Sequence, residues 1–263
     1  MDIKGKLILI TGASSGIGAA TARAAAARGA ELVLLARSAS KLDQVADAIR
    51  RAGGAARPYA VDLSDASAVE AAAGKILREA GVPDVVINNA GVGRWRTITE
   101  TSPQEAMGMM AVPYLAAFCT TQAFLPAMLE RDQGLIANMT SGAALMGFPG
   151  ATAYIASRWA LRGFTEALRA DLARTKIRVM QIMFAKVESE YWENNPGSAE
   201  HLPPAQALLR TLTPDQAAAE ILKGIQRNQQ DVIAPALLRS VVWFSALFPG
   251  ITRRVMASQH SRA

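Results

Sequence analysis

Short apolar segments alternate along the chain with longer segments in which apolar residues recur at helical spacing. The short segments, such as LILI, LVLL and VVIN, are nearly unbroken apolar runs, as expected of strands buried on both faces. This alternation predicts an α/β fold, with a doubly wound parallel sheet flanked by helices. The predicted strands cover residues 7–10, 31–35, 57–61, 85–88, 134–139, 178–184 and 231–234. The predicted helices cover residues 19–28, 41–51, 66–80, 104–129, 153–172 and 214–228.

The pattern contains no internal repeat and no linker, so residues 1–263 are predicted to form a single domain. A composition of 51% hydrophobic and 19% charged residues suits a large buried core. Residues 235–263, after the last predicted strand, form an apolar C-terminal extension. The single cysteine, Cys119, excludes an intrachain disulfide. The opening residues enter a strand pattern at Lys6 without a signal-type segment, so we expect a cytoplasmic protein.

The net charge of +6 does not come from one basic stripe, because lysines and arginines are spread along the whole chain. We therefore expect no nucleic-acid partner. The apolar stretch 235–250 is shorter than the roughly 20 residues that span a bilayer. With Arg253 and Arg254 behind it, the extension could lie at a membrane surface, and a subunit contact or a pocket wall are equally good interpretations.

A glycine-rich turn, TGASSGIG, follows the first predicted strand and precedes an alanine-rich helix. Glycines in such a turn let the backbone approach a pyrophosphate, and the helix N-terminus adds amide donors and a favourable dipole. The turn therefore predicts a dinucleotide site, because the strand before it and the helix after it are the required context. Its predicted cofactor-binding residues are Gly12, Ser14, Ser15, Gly16, Ile17 and Gly18.

The end of the second predicted strand indicates which dinucleotide is bound. An acidic residue there binds a ribose hydroxyl, whereas an arginine accommodates a 2′-phosphate. This chain offers no carboxylate in the segment LARS, and Arg37 with the hydroxyl of Ser38 suits a phosphate. We therefore predict NADPH/NADP+ as the cofactor, the alternative for Arg37 being a solvated surface residue.

Three further motifs follow the turn. Asp62 and Leu63 come after the third strand, the segment NNAG ends the fourth, and Ser141 and Tyr154 stand thirteen positions apart. Together with the spacing TGxxxGIG, these motifs resemble the short-chain dehydrogenase/reductase family from about residue 4 to residue 234.

The resemblance implies a Rossmann-like fold and a cofactor site built from several strand ends. Asp62 and Leu63 would receive the adenine. The remaining cofactor-binding residues implied by the family are Asn89, Ala90, Gly91, Tyr154, Arg158 and Val187. Members of the family usually pair their two long helices, so a homodimer or homotetramer is expected.

The resemblance also assigns the catalytic residues. Tyr154 would exchange the proton and Ser141 would hydrogen-bond the reacting carbonyl oxygen. A tyrosine has an ordinary pKa near 10 and needs a nearby cation, which in the family is a lysine four residues further on. Here Arg158 holds that position. Its guanidinium keeps the charge but cannot release a proton, so a relay through the lysine would be cut.

Two other positions depart from the family pattern. The active-site asparagine of the long helix falls on Pro113, which would free the carbonyl of Met109 by removing its helical donor. A Pro-Gly pair after the sixth strand is replaced by Phe184 and Ala185, and the downstream threonine corresponds to Ser189. These changes are expected to affect how the nicotinamide is placed.

The loops beyond the strand ends, residues 92–99, 143–150 and 188–204, are expected to set substrate specificity. Their large side chains, Trp95, Met146, Phe148, Tyr191 and Trp192, favour an apolar or aromatic carbonyl compound or alcohol, with lid packing or subunit contact as the alternative. His201 and His260 are predicted to be exposed loop residues, and no metal site is predicted.

These observations predict an NADP(H)-dependent oxidoreductase that interconverts a carbonyl and an alcohol on a small-molecule substrate. Two alternatives stay open. One is a cofactor-binding relative with weak redox activity, and the other is an enzyme that performs a non-redox step on the same scaffold.

Overall fold

The computed structural model describes residues 1–258 and contains one seven-stranded sheet with helices on both faces. The strands are β1 (Leu7–Thr11), β2 (Glu31–Ala36), β3 (Ala55–Ala60), β4 (Val85–Asn88), β5 (Gly134–Met139), β6 (Ile177–Phe184) and β7 (Asp231–Ala234). The helices are α1 (Gly16–Ala26), α2 (Ala39–Arg51), α3 (Ala66–Glu79), α4 (Pro103–Met110), α5 (Ala116–Glu130), α6 (Thr152–Asp171), α7 (Tyr191–Asn194), α8 (Pro214–Gln226), α9 (Ala236–Leu247) and α10 (Pro249–Ser258).

The strands lie in the order β3-β2-β1-β4-β5-β6-β7, and every pairing is parallel. The predicted doubly wound α/β fold is thus confirmed. Chain order reverses between β1 and β4, and the carboxyl ends of these two neighbouring strands open a crevice between the connections that leave them. The residues of β1, β4 and β5 are buried throughout, because helices cover both faces of the sheet.

Helix α1 begins at Gly16, three residues earlier than the apolar pattern predicts. Ser15 is extended and occupies the N-cap position of the helix, which begins at Gly16 and so includes the second half of the glycine-rich turn. The N-terminal amides of α1 therefore lie within the turn itself. The predicted start at residue 19 is wrong because small residues carry little periodicity.

The predicted long helix 104–129 is two helices joined by a π-helical turn at Ala111–Leu115. Ser102 and Glu105 form a capping box at its start. The turn contains Pro113, which lacks an N–H and cannot join a regular helical ladder. By length and composition, residues 103–130 could cross a membrane, but 39% of the most apolar stretch is buried within the protein and Phe124 is fully buried.

The apolar C-terminal extension forms α9 and α10 as far as residue 258, and its last five residues lie outside the described part of the chain. Helix α9 packs on β7, and α10 packs back on α9. Leu238 is buried in this packing, whereas Trp243 and Leu247 are exposed.

Candidate cofactor and substrate cleft

A cleft of about 1030 Å³ opens at the carboxyl ends of the strands. Its wall includes residues from the glycine-rich turn, the ends of β2 and β4, the helix α6 and the loop after β6. The predicted site residues that line it are Gly12, Ser14, Ser15, Gly16, Ile17, Arg37, Ser38, Asp62, Leu63, Asn89, Ala90, Gly91, Ser141, Tyr154, Arg158 and Val187. Strands far apart in sequence therefore bring these residues to one site.

Gly18, in contrast, does not line the cleft. A Cβ atom at this position would lie 2.2 Å from the carbonyl oxygen of Gly12, so only glycine lets α1 approach the end of β1 this closely. Gly12 itself has a φ of +66°, and a Cβ there would lie 2.8 Å from the Cα of Ala90. Gly12 therefore lets the turn lie close to the residues that follow β4, and Gly18 lets α1 pack closely on the end of β1.

Hydrogen bonds fasten the ends of β1 and β4 to each other. The Nδ2 of Asn89 donates to the carbonyls of Thr11 and Gly12 at 3.0 and 3.2 Å. The Oγ1 of Thr11 accepts from the N–H groups of Asn89 and Ala90 at 3.0 and 3.1 Å. The glycine-rich turn is held in shape by these bonds. Ser15 makes no side-chain cap to the first turn of α1, which leaves the amides of that turn available to an anion.

The end of β2 carries three exposed polar residues at the rim of the cleft, Arg37, Ser38 and Lys41. Lys41 forms an ion pair with Glu190 at 2.7 Å, and this pair connects α2 to the loop after β6. Our sequence interpretation did not include Lys41. Lys41 lies in the first turn of α2, close in sequence to Arg37 and Ser38, but its ion pair joins residues 149 positions apart.

One carboxylate oxygen of Asp62, at the same rim, is hydrogen-bonded within its own loop. Its Oδ1 accepts hydrogen bonds from the Oγ and the N–H of Ser64 at 2.7 and 3.0 Å. The hydrogen bonds from Ser64, with a smaller contribution from the positive charge of Arg37, lower the pKa of Asp62. Asp62 is therefore ionised at neutral pH, beside the cations of the rim.

Arg158 is the most unusual residue of the cleft. Its side chain is 5% exposed and its Cζ lies 4.8 Å from the centre of the Tyr154 ring, a cation–π arrangement. Nη1 donates to the carbonyl of Met139 at 3.4 Å, and a Cβ on Gly91 would lie 2.8 Å from Nη2. The buried Nε has no hydrogen-bond partner among the described residues, and Arg158 forms no salt bridge with any of them.

Tyr154 is buried in an aromatic cluster at the inner end of the cleft. Its ring centre lies 5.2 Å from that of Trp95, which also contacts Phe148 and Trp192. The hydroxyl of Tyr191 accepts from the Nε1 of Trp95 at 3.2 Å and donates to the carbonyl of Gly93. The aromatic side chains expected to line the substrate loops are thus assembled around the predicted acid/base.

Tyr191 differs electrostatically from an exposed tyrosine. Burial, and then the proximity of Tyr154, raise the pKa of its phenol, and the positive charge of Arg158 opposes the shift. Tyr191 therefore stays protonated at neutral pH. It serves as a fixed link between the loop after β6 and the loop after β4.

Ser141 follows β5 and lines the same cleft. Its Oγ accepts a hydrogen bond from the N–H of Ala143 at 3.2 Å, which leaves the hydroxyl proton free to point elsewhere. Trp159 donates from Nε1 to the carbonyl of Ala143 at 3.1 Å. This bond ties the loop carrying Ser141 to α6, the helix that carries Tyr154.

Of the two other departures from the family pattern, the one after β6 lines the cleft and the one at Pro113 lies next to it. Pro113 is buried within the π-helical turn, and its neighbour Val112 lines the cleft. Phe184 is buried at the end of β6 and lines the cleft as well. The side chain of Ser189 lies beside the glycine-rich turn, since a Cβ added to Gly16 would be 3.3 Å from the Cβ of Ser189.

Sequence reasoning missed a buried polar chain behind the cleft. The Nδ2 of Asn88 donates to Thr121 and to the Oδ1 of Asn138 at 3.1 and 2.8 Å, and Asn138 donates to Thr165 at 3.0 Å. This chain links β4 and β5 to α5 and α6. Its residues read as isolated polar positions in apolar runs, and only the sheet order brings them together.

The predicted exposure of His201 is wrong, because it is half-buried and packs against Gly150, whose added Cβ would lie 2.5 Å from Nδ1. His260 lies outside the described residues. Within residues 1–258, no group of three or more His, Cys, Asp or Glu side chains is placed to hold a metal ion.

Comparison with known proteins agrees with this geometry. Residues 6–198 match the family model described as short chain dehydrogenase. The dehydrogenase/reductase SDR family member 7B of Bos taurus is 32% identical over 266 residues, covering 98% of this chain and 82% of that protein.

Solved structures show the same architecture. A metagenomic short-chain oxidoreductase in complex with NADP is 32% identical, with a TM-score of 0.74 over 89% of this chain and 98% of that one. A short-chain dehydrogenase/reductase from Burkholderia phymatum in complex with NAD is 24% identical, with a TM-score of 0.85 over 100% and 99%. Because the family model covers well over half of the chain and the relatives align along most of it, the protein belongs to the short-chain dehydrogenase/reductase family of oxidoreductases.

Proposed function

We propose that the protein is an NADP(H)-dependent oxidoreductase that interconverts a carbonyl and an alcohol on an apolar or aromatic small molecule. The observation that carries this proposal is the position of Ser141, Tyr154 and Arg158 on one cleft with the glycine-rich turn. The aromatic cluster around Tyr154 supports the apolar substrate class.

The cleft fits a dinucleotide in two respects. The glycine-rich turn offers uncapped amides at the start of α1, which favour a pyrophosphate. The unpartnered Nε of Arg158 is a buried donor on the cleft wall, and a ribose hydroxyl would give it an acceptor. An unpartnered buried donor costs about 1–3 kcal/mol, so a ligand that satisfies it gains affinity.

The preference for NADP(H) over NAD(H) rests on the rim at the end of β2. Arg37, Ser38 and Lys41 present two cations and a hydroxyl to solvent, and the residues that end β2 include no carboxylate. A dianionic phosphate gains charge-assisted hydrogen bonds from such a rim, worth on the order of 1.5–3 kcal/mol for each cation. The solved relatives contain NADP in one case and NAD in the other, so this chain's own residues are the basis of the proposal.

Fluorescence titration with NADPH and NADH tests the preference. We expect NADPH to bind more tightly and Arg37→Asp to reverse the order. Arg28→Asp is the matched control, because Arg28 is exposed after α1 and does not line the cleft. Equal affinity of the parent protein for the two cofactors would refute the NADP(H) assignment.

In the proposed reaction a bound nicotinamide cofactor supplies or accepts the hydride. The hydroxyl of Tyr154 gives or takes the proton of the substrate oxygen, and the hydroxyl of Ser141 donates a hydrogen bond to that oxygen. Arg158 holds a positive charge 4.8 Å from the centre of the Tyr154 ring. The aromatic cluster gives this end of the cleft an apolar wall.

Consumption of NADPH with a panel of lipophilic ketones and aldehydes tests the reaction. Tyr154→Phe is expected to abolish turnover and to change cofactor affinity only a few-fold, because the phenol acts on the substrate. Tyr114→Phe is the control, since Tyr114 packs on Phe164 outside the cleft. Undiminished turnover in Tyr154→Phe would refute the assignment of Tyr154 as the acid/base, and no turnover in the parent would favour the second candidate, a non-redox or weakly redox relative.

That second candidate is supported by one observation, the buried guanidinium at position 158. An arginine cannot release a proton, so Tyr154 has no ionisable relay partner at that position. Tight NADPH binding without turnover across the panel would identify it.

We also propose that the protein forms a homodimer or homotetramer through the face of α5 and α6. Leu115, Phe118 and Trp159 are exposed there, and an isologous contact would cover them. Light scattering after size exclusion measures the mass, and a monomer at micromolar concentration would contradict this proposal.

A further inference from the structure

Helices α9 and α10, which we call the C-terminal hairpin (residues 236–258), have two different faces. On the inner face, Leu237, Leu238, Val241 and Met256 line the cleft. Leu238 also reaches the loop of Ser141, because a Cβ on Gly142 would lie 3.3 Å from its Cδ1. The hairpin is therefore a wall of the substrate end of the cleft.

The outer face of the hairpin is apolar and exposed. Trp243 is 67% and Leu247 is 68% exposed, and these residues stand one helical turn apart. The rings of Phe244 and Phe248 are in tilted contact, with centres 5.2 Å apart, and both are about half exposed. Ile251 continues the surface into α10. A surface of this kind on one element marks an interaction site.

The charge of the hairpin indicates what covers this surface. No aspartate or glutamate occurs after Asp231, whereas Arg239, Arg253 and Arg254 are exposed on the hairpin. A second copy packed by a two-fold axis would bring arginines against arginines without a carboxylate to pair them. An anionic surface would pair every one of them.

The lengths of the helices indicate how they would lie. With 12 and 10 residues, α9 and α10 are about 18 and 15 Å long at 1.5 Å per residue, compared with about 30 Å for the hydrocarbon core of a bilayer. Neither helix can span the core. Helices with aromatic residues on one face and arginines beside them lie in the plane of a membrane interface.

We propose that the C-terminal hairpin docks on an anionic lipid bilayer, with Trp243 and Leu247 inserted and the arginines at the headgroups. Because the opposite face of the same hairpin lines the cleft, docking places the cleft beside the lipid. Apolar substrate then enters from the bilayer; this second statement rests on the proposed function, whereas the docking itself does not.

Vesicle sedimentation with the full chain, without cofactor or substrate, tests the docking. The two lipids are phosphatidylcholine alone and phosphatidylcholine with about one third phosphatidylserine. We expect binding to the anionic vesicles that weakens at high salt, because headgroup charges are screened. Trp243→Ser with Leu247→Ser is expected to weaken binding by roughly 10- to 100-fold, since two large apolar side chains no longer insert.

Two matched double variants serve as controls, one for the pair Trp243 and Leu247 and one for a second test variant at Arg253 and Arg254. Met107→Ser with Leu129→Ser removes two exposed apolar side chains from α4 and α5, and should leave vesicle binding unchanged. Arg253→Gln with Arg254→Gln should weaken binding by about 30-fold at low salt, from roughly fivefold for each charge near the surface. Arg28→Gln with Arg227→Gln removes the same net charge from exposed positions elsewhere and should have little effect.

Three results would overturn the proposal. One is parent protein that sediments with anionic vesicles no more than Trp243→Ser with Leu247→Ser does. Another is an equal loss of binding in the Met107 and Leu129 control. The third is a parent protein that does not bind vesicles, combined with a smaller oligomer mass for Trp243→Ser with Leu247→Ser, because a second copy would then be the partner.

The substrate statement has its own measurement. For a long-chain ketone carried in vesicles, Trp243→Ser with Leu247→Ser should raise the apparent KM, and for a short water-soluble ketone it should leave kcat and KM unchanged. Neither residue lines the cleft, so a loss on both ketones would refute the delivery role. Absence of any ketone reduction in the parent would refute the proposed function and leave the vesicle result standing.

Discussion

Replacement of Arg158 by methionine should make the cofactor-free protein more stable and cofactor binding weaker. Methionine has nearly the length of the arginine stem, is apolar, and makes favourable contacts with aromatic rings such as that of Tyr154. The substitution therefore removes the buried charge and its unpartnered Nε without leaving the side-chain space empty. Opposite signs for stability and binding are the signature of a residue kept for function.

The magnitude follows from the contacts of the guanidinium. The substitution loses the 3.4 Å hydrogen bond to the carbonyl of Met139, worth about 0.5–1.5 kcal/mol, and the cation–π contact with Tyr154, worth about 2 kcal/mol. It recovers about 1–3 kcal/mol from the unpartnered N–H and several kcal/mol of guanidinium desolvation. The free energy of unfolding should rise by about 1–3 kcal/mol, which is a Tm increase of about 2–4 °C for each kcal/mol.

The cofactor should respond in the other direction. Loss of a charged donor to a ribose hydroxyl costs about 1.5–3 kcal/mol, so NADPH should bind roughly 10- to 150-fold more weakly. Urea unfolding without cofactor measures the first effect, and calorimetric titration with NADPH measures the second. Arg162→Met is a control on the same helix, because Arg162 bonds the carbonyl of Ala144 and does not line the cleft.

One result would refute this reasoning. If Arg158→Met unfolds at lower urea concentration by more than about 1 kcal/mol and binds NADPH as the parent does, the arginine is a packing residue of α6. Its cation–π contact and its approach to Gly91 would then be its whole role.

Four further substitutions test the cleft. Ser141→Ala should lower kcat by about 10²–10³, as expected for one donor to the reacting oxygen, and steady-state kinetics at saturating NADPH measures it. Gly91→Ala should weaken NADPH binding in calorimetric titrations, because its Cβ would lie 2.8 Å from the Nη2 of Arg158, and Arg158→Lys in the same chain should relieve the defect. Arg158→Lys alone should raise kcat by restoring an ionisable ammonium. A lysine variant no faster than Arg158→Ala would contradict that second prediction. Glu190→Gln should tighten NADPH binding relative to NADH binding, since Lys41 is released from its 2.7 Å ion pair. The free energy of unfolding should stay within about 1 kcal/mol of the parent's, because the pair is about half exposed. An unchanged NADPH-to-NADH affinity ratio would show that Lys41 does not reach the phosphate.

The sequence was most informative where local pattern and burial coincide. The strands were predictable because helices cover both faces of the sheet, so that a strand such as β4 is buried throughout and apolar except for its last residue. The position of the cleft followed from the glycine-rich turn, since parallel strands gather their carboxyl ends at one edge. The start of α1 was not predictable, because a helix that opens with Gly16 inside the turn shows no apolar period there.

Contacts between distant residues set the limit of prediction. The ion pair of Lys41 with Glu190 and the bond from Trp95 to Tyr191 join segments about 100 or more residues apart, which no local pattern encodes. Pro113 was expected to free the carbonyl of Met109, but the π-helical turn that divides the predicted helix 104–129 was not foreseen; together with α4 it packs on α6. The helical structure of the C-terminal extension was missed because its apolar residues surround α9 instead of forming one stripe.

The arginine at position 158 separates two roles that a lysine would combine. Holding a positive charge beside Tyr154 requires only proximity, and the 4.8 Å distance from its Cζ to the ring centre provides it. Moving a proton onward requires a group that can lose one, which a guanidinium cannot. The neighbouring phenol of Tyr191 does not replace it, because burial raises its pKa and its hydroxyl is committed to Gly93. If Tyr154 exchanges the proton as proposed, that proton has to be exchanged across the cleft itself, one wall of which is formed by the C-terminal hairpin.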